Sequence, residues 1–66
     1  MANHIFVQAM KAAISAFKQG KAECRIHGLT LRIQHAHHED YQVLLPDQSE
    51  IFRIVGNQSH AEIFAV

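Results

Sequence analysis

The period of the apolar residues changes once along this chain, at Gly20, and that change limits what the chain can become. Before it, Phe6, Met10, Ala13 and Phe17 fall at helical spacing, which stacks them along one side of an α-helix. After it, Cys24 and Ile26 alternate with Glu23, Arg25 and His27. Leu29, Leu31 and Ile33 then alternate with Thr30, Arg32 and Gln34. A period of two marks strands with one buried face.

The spacing predicts a helix over 4–19. Asn3 suits the N-cap and Gly20 the C′ position. Lys18 and Lys21 complement the negative end of the helix dipole. His4, Gln8, Lys11, Ser15 and Lys18 collect in one polar stripe. Ile5, Ala9, Ala12 and Ala16 flank the apolar stripe on one side, and Val7 and Ile14 on the other. The resulting arc is wider than a helix lying on one sheet requires. The alanines either fill that extra arc cheaply or form a second contact surface.

Turn chemistry divides the rest. Gly28 marks a bulge or a tight turn, His37-His38-Glu39-Asp40 a hairpin tip, and Pro46-Asp47-Gln48-Ser49 a turn led by proline. Ile51–Val55 and Ala61–Val66 read as further strands, separated at Gly56-Asn57. Short connections favour antiparallel neighbours. The expected fold is α+β: an N-terminal amphipathic helix packed on one face of a four- to five-stranded antiparallel β-meander, with residues 1–66 forming a single domain. Phe6, Met10 and Phe17 are expected to meet Leu31, Ile33 and Val43. Parity turns Cys24, Ile26, Leu29, Leu31, Ile33, Tyr41, Val43, Leu45, Phe52 and Ile54 toward the helix. It turns Arg25, His27, Thr30, Arg32, Gln34, Gln42, Leu44, Ile51, Arg53 and Val55 away from it.

Composition narrows the function. With one cysteine, Cys24, the 66 residues hold no internal disulfide, and a reducing, cytoplasmic setting is expected. The first apolar run lacks a basic leader and is broken by Gln8 and Lys11, so neither a signal peptide nor a membrane span is expected. Asn57-Gln58-Ser59 is then a chance glycosylation sequon. No nucleophile-elbow or phosphate-loop motif occurs, and Cys24 and His27 fall on opposite faces of one strand. No enzyme activity and no cofactor are expected.

Six histidines are the oddest feature of the composition, since this side chain changes charge near neutral pH. His35 and His37, as an H-x-H pair on a strand, would point the same way. They are the only local pair with ligand spacing, and no metal is assigned to them. The exposed sheet face carries Arg25, Arg32 and Arg53 with Leu44, Ile51 and Val55, a mixture found at protein interfaces. These six are the candidate partner-binding residues. The expected function is a small binding or regulatory module acting through protein–protein contacts on that face or on the helix flank. A symmetric homodimer is expected, through Ile51 and Val55 or through Ala9, Ala12 and Ala16. The alternative is a nucleic-acid-binding domain using the sheet arginines and the helix lysines. Balanced charge, six Lys/Arg against six Asp/Glu, weighs against it. Metal or pH sensing through the histidines ranks third.

Overall fold

The computed structural model describes residues 4–66. The Asn3 cap lies outside the described residues. Helix α1 spans His4–Lys18. Its end is a Schellman motif: the Gly20 N–H donates to the Phe17 carbonyl (3.0 Å) and the Lys21 N–H to the Ala16 carbonyl (2.9 Å). Gly20 sits at φ 77°, a left-handed backbone that glycine adopts without a Cβ penalty.

Five strands follow: β1 Glu23–Ile26, β2 Leu29–His37, β3 Asp40–Leu44, β4 Glu50–Gly56 and β5 Ala61–Ala65. They form one sheet in the order β1-β2-β3-β4-β5, each pair antiparallel. Local turn chemistry explains this meander. His27 and Gly28, at φ 50° and 80°, make a two-residue type I′ turn between Ile26 and Leu29. Leu45–Ser49 closes the β3–β4 turn, with the Gln48 N–H donating to the Leu45 carbonyl (2.8 Å) and Asp47 Oδ1 accepting from the Ser49 N–H (3.0 Å). Between β4 and β5, Asn57 Oδ1 accepts from the backbone N–H groups of Ser59 and His60, both at 2.9 Å. Gly56 enters that loop at φ 131°, and a Cβ there would collide with the His60 carbonyl oxygen.

The helix meets the sheet differently from the sequence expectation. Ala9, Ala13 and Ala16 are buried with Phe17, and Ala13 is 0% exposed. Residues at i, i+4 and i+7 form one ridge, and small side chains along it let the helix approach the sheet closely. The alanine flank is therefore core rather than spare surface. Phe6 lies to the side of the ridge, 40% exposed, with its ring 5.1 Å from that of Phe52. Phe17 packs edge-on against Tyr41 at 4.7 Å. Below the ridge lie Leu31, Ile33, Val43, Phe52 and Ile54, the sheet face assigned by parity.

Two bulges shift parity elsewhere. His35 pairs with Tyr41 but His37 with Asp40, which leaves Ala36 as the extra residue. Val43 pairs with Phe52 but Leu44 with Glu50, which leaves Ile51 as the extra residue. Directly paired residues share a face, so each bulge redirects side chains that simple alternation misplaces.

Candidate functional site

The helix covers one face of the sheet and leaves the other open. On that open face the strands place Glu23 and Arg25, then Thr30, Arg32 and Gln34, then Asp40, Gln42 and Leu44, then Glu50, Arg53 and Val55, and last Glu62 and Phe64. Four of the six candidate residues thus lie where expected and outside the covered core: Arg25, Arg32, Arg53 and Val55. Two need correction. The β4 bulge turns Ile51 to the helix side, where it lines an apolar groove of about 480 Å³ with Ile5, Phe6, Ile26 and Leu29. Glu50 takes its place on the open face. Leu44 does stand on the open face, but it is only 5% exposed. Its cross-strand neighbours Arg32 and Glu50 carry long side chains, which cover a small aliphatic group between them.

A chain of polar contacts crosses the middle strands. Gln34 Nε2 donates to Gln42 Oε1 at 3.0 Å, and Gln42 Nε2 to Glu50 Oε1 at 3.3 Å. Arg53 Nε then lies 3.4 Å from Asp40 Oδ1 and 3.7 Å from Glu50 Oε2. Both of these oxygens are buried, and neither has a hydrogen-bond partner among the described residues. The Arg53 charge is what offsets them. Arg25 is engaged as well: its Nη2 lies 3.4 Å from the Gly28 carbonyl of its own hairpin turn. Sequence parity placed the arginines on this face but not the acids woven among them. Three arginines there face Glu23, Asp40, Glu50 and Glu62, so the face is no basic patch.

Apolar exposure on this face concentrates at its β4–β5 end. Val55 is 43% exposed and Phe64 49%. Together with Arg53, Ala65 and Val66 they line a shallow groove of about 450 Å³. Phe64 lies on a strand too short and too poor in polar residues for alternation alone to assign its face. Its pairing with Arg53 assigns it to the open face.

The histidines do not act as a group. Through the Ala36 bulge His37 joins Asp40 on the open face, while His35 joins Tyr41 on the helix side. The H-x-H pair is therefore split between faces, and the shared direction expected from the strand period is lost. His35 stacks on Tyr41 with ring centres 4.8 Å apart, and its Nε2 lies 2.6 Å from the His38 carbonyl, a contact that requires a proton on Nε2. His27 Nε2 meets Gln8 Oε1 at 2.9 Å and ties the first hairpin to the helix. Among the described residues, no three His, Cys, Asp or Glu side chains converge as metal ligands would.

Cys24 lies half-buried on the helix side. Burial, and secondarily the adjacent Glu23 carboxylate, raises its thiol pKa above the ordinary value, which lowers its reactivity as a nucleophile. Asp47 shows the opposite effect at the surface. Hydrogen bonds from the Ser49 hydroxyl and, next, the Ser49 backbone hold its carboxyl below the usual range. No helix among the described residues is long and apolar enough to cross a membrane. Comparison with protein-family models, with curated proteins and with solved structures finds no match.

Proposed function

We propose that this chain is a small protein-binding module whose contact surface is the β4–β5 end of the open sheet face. The observation that carries the reading is the exposed group Val55, Phe64 and Val66 beside Arg53 on a face that the helix leaves uncovered. Aromatic and arginine side chains are enriched at the centres of protein interfaces, and charge is depleted there. At this end of the face Arg53 is already paired with Asp40 and Glu50, and Glu62 is the remaining charge beside Val55 and Phe64.

The nucleic-acid alternative draws less support. A single-strand platform needs surplus positive charge and exposed aromatics for stacking. Here four acids offset the three arginines, and among the described residues Phe64 is the single Phe or Tyr on the open face, Tyr41 packing beneath the helix against Phe17. Catalysis is not part of the proposal: the raised Cys24 pKa argues against a thiolate nucleophile. A reducing cytoplasm suits the single free thiol.

Capture experiments from the native cell test the reading, with mass spectrometry on what is retained. The wild-type chain should retain a protein partner that Phe64→Asp and Val55→Asp release and that Lys11→Ala does not. Retention of RNA or DNA, lost with added salt and with Arg32→Ala, would replace this reading with the nucleic-acid one.

A further inference from the structure

We infer that the partner seated at this end of the sheet is a second copy of the chain, joined by antiparallel pairing of β5 with β5 about Ile63. The inference rests on the protein-binding reading above and gives it an occupant.

The backbone pattern sets the register. The Val66 N–H donates to the Ile51 carbonyl and the Asn57 N–H to the His60 carbonyl. These bonds fix the alternation along the β4–β5 ladder, so Glu62 and Phe64 direct their N–H and C=O groups toward β4. Ala61, Ile63 and Ala65 direct theirs outward from the last strand of the sheet. Such a row is a template for one more strand. A two-fold axis at Ile63 sets Ile63 against itself and Ala61 against Ala65 of the other copy. Each of the three outward residues then exchanges both bonds with its opposite. A two-fold centred on Glu62 or Phe64 leaves one of the three unpaired.

The sequence of the strand is self-complementary about that axis. Ala61, Ile63 and Ala65 read the same in both directions, so on the helix side Ala61 meets Ala65 of the other copy and Ile63 meets Ile63. On the open face Phe64 lies directly opposite Glu62 of the second copy. The two Phe64 rings stand at the diagonal separation that aromatic side chains span. Each Glu62 then lies between Val55 of its own copy and Phe64 of the other, so acid and ring alternate across the junction. Zero net charge removes overall repulsion between copies. A specific interface needs ~1,000 Å² in total, so each copy would supply about 500 Å² of its 4376 Å² surface.

Sedimentation of the whole chain at about 100 µM, well above the ~1 µM Kd of a modest association, tests the inference. The expected mass is twice the 7.5 kDa of one chain. Ala65→Pro removes an outward N–H without touching the β4 ladder, the position where an edge strand accepts proline, and should return the monomer with an unchanged far-UV spectrum. The register has its own signature that does not depend on that variant. Phe64→Asp places like charges opposite each other at two sites per dimer and should weaken association by about tenfold or more, whereas Phe64→Arg places opposite charges there and should preserve it. A monomer at this concentration overturns the inference. So does a dimer that Ala65→Pro and Phe64→Asp leave intact, or one that Phe64→Arg breaks as readily as Phe64→Asp. If the chain is monomeric but Phe64→Asp still releases a different captured protein, the binding-module reading survives and only the second copy falls.

Discussion

The two edges of the sheet, β1 and β5, are protected to different degrees. β1 is four residues long, alternates Glu23 and Arg25 with Cys24 and Ile26, and is the strand with which the helix packs most extensively. Its hairpin is tied to the helix through His27 and Gln8. Short length, charge and a covering element are the usual protections of a sheet edge. β5 has one charged residue, Glu62, among apolar ones, and half-exposed Phe64 beside it. The helix also reaches β5, though less extensively than β1, so the two edges differ in how far charge and the helix cover them. The less covered edge is the one that the inferred second copy would use.

Perturbing the covered side should produce the largest effect. Phe17→Ala removes a buried ring that anchors the helix against Tyr41 and should cost about 3–5 kcal/mol, the usual range for a buried aromatic. In a 66-residue domain a loss of that size threatens the whole fold. A urea melt that matches the parent would show that Phe17 does not anchor the helix to the sheet.

The open side should respond at its base. Gly56→Ala forces a side chain into a left-handed backbone against the His60 carbonyl and should destabilise by about 1–3 kcal/mol. The loss should be local, with β5 amides exchanging faster than those of β2 and β3. Uniform acceleration across the sheet would instead mean that β5 is integral to the core.

The arginines separate next. Arg53→Ala leaves the buried oxygens of Asp40 and Glu50 facing each other and should cost about 1 kcal/mol, a figure held down because the pair is partly exposed. Arg32→Ala, whose side chain joins no such network, should stay within about 0.5 kcal/mol. Equal losses in thermal melts would remove Arg53 from its structural role.

The smallest effect concerns the β3–β4 turn. The folded value of the Asp47 carboxyl lies below its unfolded one. Its hydrogen bonds from Ser49 therefore stabilise the turn above the ordinary Asp range, near ~3.9, and are lost as pH falls through the lowered value. Ser49→Ala should move the Asp47 titration, followed by NMR, upward toward that range. An unmoved titration would mean the hydroxyl contributes nothing.

Much of this was legible in the sequence, for physical reasons. The helix, its stop at Gly20 and the meander follow from apolar period and turn residues, which act locally. Arg25, Arg32, Arg53 and Val55 were placed on the correct face by alternation alone. Ile51 was not, because one extra residue on a bulged strand reverses parity without leaving a compositional mark. The hint was that Ile51 and Phe52 are adjacent and apolar, so one side of β4 had to bend. The same effect at Ala36 split His35 from His37. The sequence leaves the helix alanines open between filler and a second contact surface because small side chains give a weak apolar signal, although close approach to a sheet favours them. Alternation alone assigns no face to Phe64, because β5 is five residues long and Glu62 is its single polar residue.

Amide hydrogen exchange at the two edges, followed from about 5 µM to about 500 µM across the ~1–100 µM Kd range of modest association, tests the central claim most directly. In one chain the outward amides of β1, at Glu23 and Arg25, and those of β5, at Ile63 and Ala65, are all unpaired by the sheet ladder. The account predicts that protection at Ile63 and Ala65 rises with concentration while Glu23 and Arg25 keep exchanging at one rate. Protection that rises at Glu23 and Arg25 instead, or at none of the four, would contradict it.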